Sequence, residues 1–412
     1  MAAIGLCVPL TTIITAFNGL FGRGGAPLSS ILLGEKKKKE ANNILTTSFI
    51  CLVITSLVIT TVVWLFQDPL LYLFGANHET IQYARDYISI YALGTIFIQL
   101  TVGLNYFVNA QGYTRFSMLT VLLGAGLNII LDPLFIYQFN MGVKGAAIAT
   151  VLSQAVSCLF VIGFFLGKKT ILRIQFNRFR IKWSVLKRIL MLGSSPFFMS
   201  ASEGLLTICF NQQLLSFGGS LAVSAMTIMT SMYQFVLLPI EGVASDSQPI
   251  ISYNYGAKNY QRCKETISLA MKATCSYSLV IVLLMELFPQ IFVGIFTSDN
   301  ELLRLGGWML RIYILGGCIM GINSTCQQSY NSLGEGKMSF FFAFYRKIIL
   351  LIPLIFILPI FFKNQVLAVV LAEPISDFIT TITNYIYFHK IFLLKKLSVN
   401  DIKEEYHIVQ EV

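Results

Sequence analysis

Charged residues are scarce in this 412-residue chain. Asp, Glu, Lys and Arg make up only 12% of the sequence, whereas 55% of it is hydrophobic. Soluble proteins carry about twice that charged fraction. Because so few charges cannot cover a water-facing surface, the composition excludes a soluble globular protein and indicates that most of the exterior faces lipid.

Several chemical motifs are also absent. The eight cysteines include no C-x-x-C pair and the three histidines are far apart, so we expect neither disulfides nor a zinc or histidine-based metal site. No G-x-x-x-x-G-K-[ST] loop occurs, which argues against ATP as the energy source. The predicted outer loops are short and poor in acids and histidine, so we expect no enzyme active site at a membrane face and no cofactor.

Eleven apolar stretches are present, each long enough for a spanning helix of roughly 20 residues. They cover residues 3–33, 43–66, 86–109, 116–137, 145–166, 189–216, 221–252, 266–292, 305–331, 338–362 and 366–389. We therefore predict an all-α polytopic membrane protein with eleven spans.

The positive charges are distributed unevenly between the two sides of these predicted spans. Loops on one side and the C-terminal segment hold 21 Lys and Arg residues, and the loops on the other side hold only four. This asymmetry predicts a cytoplasmic C-terminus. It also accounts for the excess of 30 Lys and Arg over 20 Asp and Glu, so we expect no nucleic-acid partner.

The chain is internally duplicated at a fixed offset of 222 residues. Between 27/249 and 117/339, 19 of 91 aligned pairs are identical. The identical pairs include Pro27 with Pro249, Gly34 with Gly256, Gly94 with Gly316, Asn109 with Asn331 and Gly112 with Gly334. Because an even number of spans separates the copies, both have the same orientation and form a parallel repeat.

The repeat predicts two helical lobes, of which the first is one helix short. The counterpart of stretch 189–216 would precede Met1, so we expect that the natural first helix is missing, through a misassigned start or a truncation. The predicted organisation is an N-terminal lobe at 1–166, a basic cytoplasmic linker at 167–188, a C-terminal lobe at 189–390 and a cytoplasmic tail at 391–412.

Five motifs, spread over about residues 3–390, resemble the multidrug and toxic compound extrusion (MATE) family. They are Gly34 after the Pro27 helix and the segments 127–135, 142–154, 248–257 and 372–377. The resemblance implies two six-helix lobes around a central cavity with alternating access. It also implies a monomer in the plasma membrane that exports small-molecule drugs, often organic cations, in exchange for protons or sodium ions.

Asp132 is the first candidate for ion coupling, because an ionisable side chain inside the bilayer is costly. It follows Asn128 by four residues, so both side chains lie on one helical face. A carboxylate beside an amide can bind sodium through oxygen ligands or hold a proton when desolvated. The resemblance adds Thr150 to this site, together with an acid on the first helix that this chain lacks. The alternative is that Asp132 only ends a helix before Pro133.

Five further charged residues are candidates for substrate binding or gating. They are Glu203, Glu241, Asp246, Arg23 and Glu373. Glu203 lies in mid-span and roughly matches an acidic position of the family, and the alternative is a buried, hydrogen-bonded glutamate. Asp246 maps through the repeat to within one residue of Arg23, so we hypothesise that these two pair as a gate. We expect Arg346 to neutralise one of the nearby acids.

Two alternative functions remain open. A lipid-linked saccharide flippase has a related architecture, but it is expected to have a more cationic cavity, and segment 248–257 argues against it. The missing first helix also leaves open an inactive, N-terminally truncated exporter.

Overall fold

The computed structural model describes residues 2–73, 80–175, 182–390 and 392–393. Regular structure within these ranges is helical, and none of the described residues forms a strand. A helix satisfies its backbone N–H and C=O groups within one segment, as a lipid environment requires. The predicted linker residues 176–181 and the predicted tail, except for 392–393, lie outside the described residues.

Helices cover each of the eleven predicted stretches. In the first half they are α1 (Ala2–Gly34), α2 (Lys38–Leu73), α3 (Ile81–Leu93), α4 (Thr95–Ala110), α5 (Thr114–Pro133), which continues as a π-helical turn (Leu134–Gln138), and α6 (Gly142–Leu166). In the second half they are α7 (Trp183–Gly256), α8 (Tyr260–Leu287), α9 (Pro289–Gly294), α10 (Asn300–Tyr313), a 3₁₀ turn (Ile314–Ile319), α11 (Met320–Ser332), α12 (Gly336–Phe344), a π-helical turn (Tyr345–Leu351), α13 (Ile352–Phe361) and α14 (Gln365–Tyr387).

The number of membrane crossings is lower when each helix is judged by length and hydropathy alone. Eight helices of the described part qualify, and the pair α3 and α4, bent by 52°, brings the number to nine. Helix α7 counts once although its 74 residues cover two predicted stretches. A straight helix of that length would be about 110 Å long, and α7 is interrupted at Gly219, where φ is +65°. The count of eleven spans stays a prediction.

The chain divides into two compact units, Met1–Ala201 and Ser202–Val412. The division falls inside α7, so the first part of that helix packs with the first unit. In this packing Gly193 lies against the backbone of α1, where an added Cβ would be 1.8 Å from the carbonyl oxygen of Leu20. Gly24 is equally confined, since its Cβ would be 2.3 Å from the Ile189 carbonyl oxygen. Only glycine permits two helices to approach so closely.

The internal duplication is visible in the backbone of both units. Gly112 and Gly334, paired by the 222-residue offset, follow equivalent helices with φ of +84° and +81°. Lys36 and Lys258, also paired, both have a φ of +61°. A left-handed lysine is unusual because its Cβ crowds the backbone. Two such residues at one offset show that the duplication extends to the backbone conformation.

Side-chain hydrogen bonds repeat at the same offset. Ser30 donates to the Ala110 carbonyl oxygen at 3.0 Å, and Ser252 donates to the Ser332 carbonyl oxygen at 2.8 Å. Each bond joins the ends of two helices that the sequence separates by 80 residues. The contact between the ends of α1 and α4 in the first copy is therefore repeated between the ends of α7 and α11 in the second copy.

Candidate functional site

A buried ionic cluster occupies the interior of the second unit. Arg346 donates from Nε to Asp377 Oδ1 at 2.7 Å and from Nη2 to Glu373 Oε1 at 2.9 Å. The Arg346 side chain is 4% exposed and those of Asp377 and Glu373 are 0% and 8% exposed. Glu373 and Asp377 lie four residues apart on α14, so one turn of the helix presents both carboxylates to one guanidinium. Such paired, charge-assisted hydrogen bonds suit the planar fork of arginine.

Tyr233, from α7, completes the hydrogen bonding of this cluster. Its hydroxyl donates to Asp377 Oδ2 at 2.5 Å and accepts from Arg346 Nη2 at 3.2 Å. Gly316 makes room for the carboxylate, because a Cβ there would lie 2.5 Å from Asp377 Oδ2. Both oxygens of Asp377 therefore have a donor, which is the condition under which a charge is tolerated in an apolar interior.

Lys347 and Glu203 form a second ion pair beside the first. The Lys347 side chain is 3% exposed, whereas that of Glu203 is 57% exposed and faces a cavity. Arg346 and Lys347 are consecutive, yet both are buried, because they lie in the π-helical turn between α12 and α13. Such π-helical turns frequently mark functional sites.

The cavity next to this second pair has a volume of about 80 Å³. Besides Glu203 its walls include Phe210, Met226, Tyr313 and Glu373. Aromatic faces and carboxylates are the groups that recognise organic cations. Arg346, Lys347, Glu203, Glu373 and Asp377 give the cluster three carboxylates and two cations, so it has one excess negative charge when all five are ionised.

Sequence reasoning anticipated part of this cluster. The expectation that Arg346 neutralises a nearby acid is confirmed by its bonds to Glu373 and Asp377. The partnership of Lys347 with Glu203 was missed, as was the contribution of Tyr233. The spacing of the two acids on α14 was an available signal, whereas nothing in the sequence distinguishes Tyr233 from the other tyrosines.

The first unit holds the three residues predicted to couple ions. Asn128 Nδ2 donates to Asp132 Oδ1 at 3.1 Å, as their four-residue spacing predicts. Thr150 donates to its own helix, to the Ala146 carbonyl oxygen, at 3.0 Å. The coupling role of these residues stays a prediction.

A polar cavity of about 360 Å³ lies beside these residues and includes Asn128 and Thr150 in its walls. Hydroxyl and amide side chains dominate its lining, and no charged residue of the described chain contributes to it. The side-chain oxygen of Asn105, in its wall, is buried without a hydrogen-bond partner among the described atoms. Gly124, also in the wall, corresponds through the repeat to Arg346. The first copy thus has a cavity at the position where the second copy has the guanidinium of Arg346.

The remaining candidates lie on α1 and α7. Arg23 Nε donates to the Tyr106 hydroxyl at 2.8 Å within the first unit. Glu241 and Asp246 are exposed residues of α7 in the second unit. The pairing of Arg23 with Asp246 joins the two units and stays a prediction. The described residues contain no group of three or more His, Cys, Asp and Glu side chains arranged to hold a metal ion.

Known proteins similar to this chain include multidrug exporters. The multidrug export protein MepA of Staphylococcus haemolyticus is 27% identical over 387 residues, which are 93% of this chain and 85% of the relative. MepA of Staphylococcus aureus strain MSSA476 is 27% identical over 358 residues, covering 87% of this chain and 79% of the relative.

Solved structures of MATE transporters are also similar. MATE in the bent conformation has a TM-score of 0.91 and 25% identity, covering 97% of this chain and 89% of that one. The MATE multidrug transporter DinF-BH has a TM-score of 0.88 and 33% identity, with 96% and 88% coverage. The MatE family model matches residues 1–134 and 196–357. With this match over most of its length, and with the helical repeat described above, the chain belongs to the MatE family.

Proposed function

We propose that this protein is a secondary active transporter that exports organic compounds, many of them cationic, in exchange for protons or sodium ions. Membership of the MatE family and the similarity to MepA proteins support multidrug export. We further propose that it works by alternating access as a monomer in the plasma membrane, with its C-terminus in the cytoplasm. The Lys and Arg distribution supports this orientation.

The observation that carries the exchange mechanism is the charge balance of the ionic cluster in the second unit. Its three carboxylates exceed its two cationic side chains by one negative charge. Four of the five side chains are at most 8% exposed. An uncompensated charge among buried groups is costly, so the cluster favours binding of one monovalent cation. A proton, a sodium ion or the charged group of an organic compound can each neutralise the one excess negative charge. Two such cations together would leave the cluster with an excess positive charge.

Glu203 is the residue at which we expect this competition. It is the cluster's exposed carboxylate, and it faces the cavity beside Phe210 and Tyr313. Glu373 and Asp377 are buried and bound by Arg346, whereas Lys347 binds one oxygen of Glu203, whose side chain remains 57% exposed. An organic cation that binds Glu203 would exclude a proton or sodium ion from the same oxygens. Mutually exclusive binding of two cations at one site is the thermodynamic basis of exchange.

A second coupling site is proposed in the first unit, at Asp132, Asn128 and Thr150. The carboxylate of Asp132 and the amide of Asn128 are joined by a hydrogen bond of 3.1 Å from donor to acceptor. Oxygen ligands of this kind suit sodium, and a partly desolvated carboxylate suits a proton. Both proposed coupling sites therefore use a carboxylate inside the membrane.

Transport by purified protein in liposomes tests the proposal. The experiment follows ethidium movement driven by an imposed pH gradient and, separately, by an imposed sodium gradient. Wild-type protein should respond to at least one gradient, and Glu203→Gln should reduce that response at least tenfold. Glu301→Gln is the matched control, because Glu301 is an exposed glutamate at the start of α10. Gradient-driven transport by Glu203→Gln at the wild-type rate would contradict the exchange site, and no wild-type transport under either gradient would contradict the function.

A further inference from the structure

A separate groove lies where α5 begins and α6 ends, and it includes none of the candidate site residues described above. Its volume is about 900 Å³. We call it the α5–α6 groove. The lining side chains that matter here are Arg115, Phe116, Phe160, Phe164, Lys168 and Lys169.

One part of the α5–α6 groove is an apolar slot. The ring of Phe116 stacks on Phe160 with centroids 4.5 Å apart and contacts Phe164 at 4.7 Å. Leu159 continues the apolar lining and is exposed. Gly163 forms part of the wall, and a Cβ added there would meet no atom within 4 Å. The slot is therefore open space bounded by aromatic and aliphatic side chains, which suits a hydrocarbon chain.

The other part is cationic. Arg115 at the start of α5 and Lys168 and Lys169 just after α6 line the groove and are exposed. The described groove lining contains no carboxylate. Tyr113 donates from its hydroxyl to the Lys169 carbonyl oxygen at 2.9 Å, which ties the lysine segment to the start of α5. Three cations without an acid among them form a binding site for an anion.

The second copy of the repeat differs at these positions. Gly163 corresponds to Tyr385, so the space open in the first copy carries a large ring in the second. Phe116 corresponds to Met338, and only two of the three cations have counterparts, Lys337 and Lys390. The α5–α6 groove therefore belongs to the first copy and is not a general consequence of the fold.

We propose that the α5–α6 groove binds one anionic phospholipid. An acyl chain lies in the slot beside Phe116 and Gly163, and the phosphate group is bound by Arg115, Lys168 and Lys169. The arrangement meets both needs of such a lipid at once, since basic pockets between membrane helices bind anionic headgroups. The groove lies at the end of the helices where most Lys and Arg residues cluster, which is the end predicted to face the anionic cytoplasmic leaflet.

Native mass spectrometry of the full-length protein, titrated with phosphatidylglycerol or phosphatidylcholine, tests the proposal. Wild-type protein should bind one phosphatidylglycerol at least tenfold more tightly than phosphatidylcholine. Removing cations with Arg115→Gln, Lys168→Gln and Lys169→Gln should weaken this first binding event on the order of fivefold for each charge lost. Glycerol phosphate, which has the headgroup charge but no acyl chains, should bind far more weakly than the lipid.

Two variants separate the groove from general surface charge. Gly163→Tyr introduces the residue that the second copy has at this position. It should abolish the preference for phosphatidylglycerol without changing the charge of the groove. The double variant Lys337→Gln with Lys390→Gln removes the corresponding cations of the second copy and should leave the preference for phosphatidylglycerol unchanged. Equal binding of both lipids by wild-type protein would overturn the proposal, even if some variants failed to fold. Retention of the phosphatidylglycerol preference in Gly163→Tyr, or an equal loss in the control variant, would also overturn it.

Discussion

Replacing Arg346 with methionine should strongly destabilise the second unit. Methionine has a comparable length but removes the guanidinium that donates to Asp377 and Glu373. Because the Asp377 side chain is 0% exposed, water cannot replace the donor that this carboxylate loses. Two charge-assisted hydrogen bonds at about 1.5–3 kcal/mol each amount to about 3–6 kcal/mol. Breaking a buried ion pair typically costs about 3–5 kcal/mol, so we expect a loss of about 3–5 kcal/mol in the free energy of unfolding.

The lysine variant refines this prediction. Arg346→Lys keeps the positive charge but cannot donate in a planar fork to two carboxylates, so it should lose about 1.5–3 kcal/mol, close to one such bond. Both variants can be measured by SDS-induced unfolding in mixed micelles, followed by circular dichroism. Arg304→Met, at an exposed arginine of α10, is the matched control and should unfold as the wild type does. The reasoning is wrong if Arg346→Met unfolds at the same SDS fraction as the control.

Three further predictions concern single positions. Gly193→Ala should reduce the free energy of unfolding by at least about 1–3 kcal/mol, the cost of overpacking, because its Cβ would meet the Leu20 backbone at 1.8 Å. Gly204→Ala on the same helix meets no atom within 4 Å and should be neutral or stabilising, and equal effects of the two changes in SDS unfolding would refute this explanation. Gly112→Ala should cost about 1–2 kcal/mol in the same measurement, because φ is +84° there and no neighbouring atom interferes. Asp132→Asn should abolish or alter the ion dependence of ethidium efflux from liposomes, and unchanged efflux with unchanged ion dependence would exclude Asp132 from coupling.

The helical framework could be predicted because hydropathy and glycine positions report on the backbone directly. Apolar stretches identified the helices since lipid demands them. Gly94 and Gly316, which the repeat pairs, lie at a 52° bend between α3 and α4 and in the 3₁₀ turn Ile314–Ile319. The interruption of α7 at Gly219 falls between the predicted stretches 189–216 and 221–252.

The candidate sites could be predicted only in part, because charge partners come from different helices. Asn128 and Asp132 share one helix, so their spacing predicted their hydrogen bond. The pair of Lys347 with Glu203 joins residues 144 positions apart, and its buried lysine lies where the helix widens locally into a π turn. Neither periodicity nor composition reports such a local widening. Tertiary placement of that kind requires coordinates.

The left-handed backbone conformation of Lys36 and Lys258 also bears on the origin of the repeat. Each costs about 1–2 kcal/mol relative to ordinary backbone, and glycine would remove that cost with a single change. Both copies nevertheless retain lysine at φ +61°, although few of their other residues still agree. Descent of both copies from one ancestral half accounts for the shared turn and its side chain. The buried charges of the two copies differ, since Arg346 corresponds to Gly124, although the backbone conformation is shared.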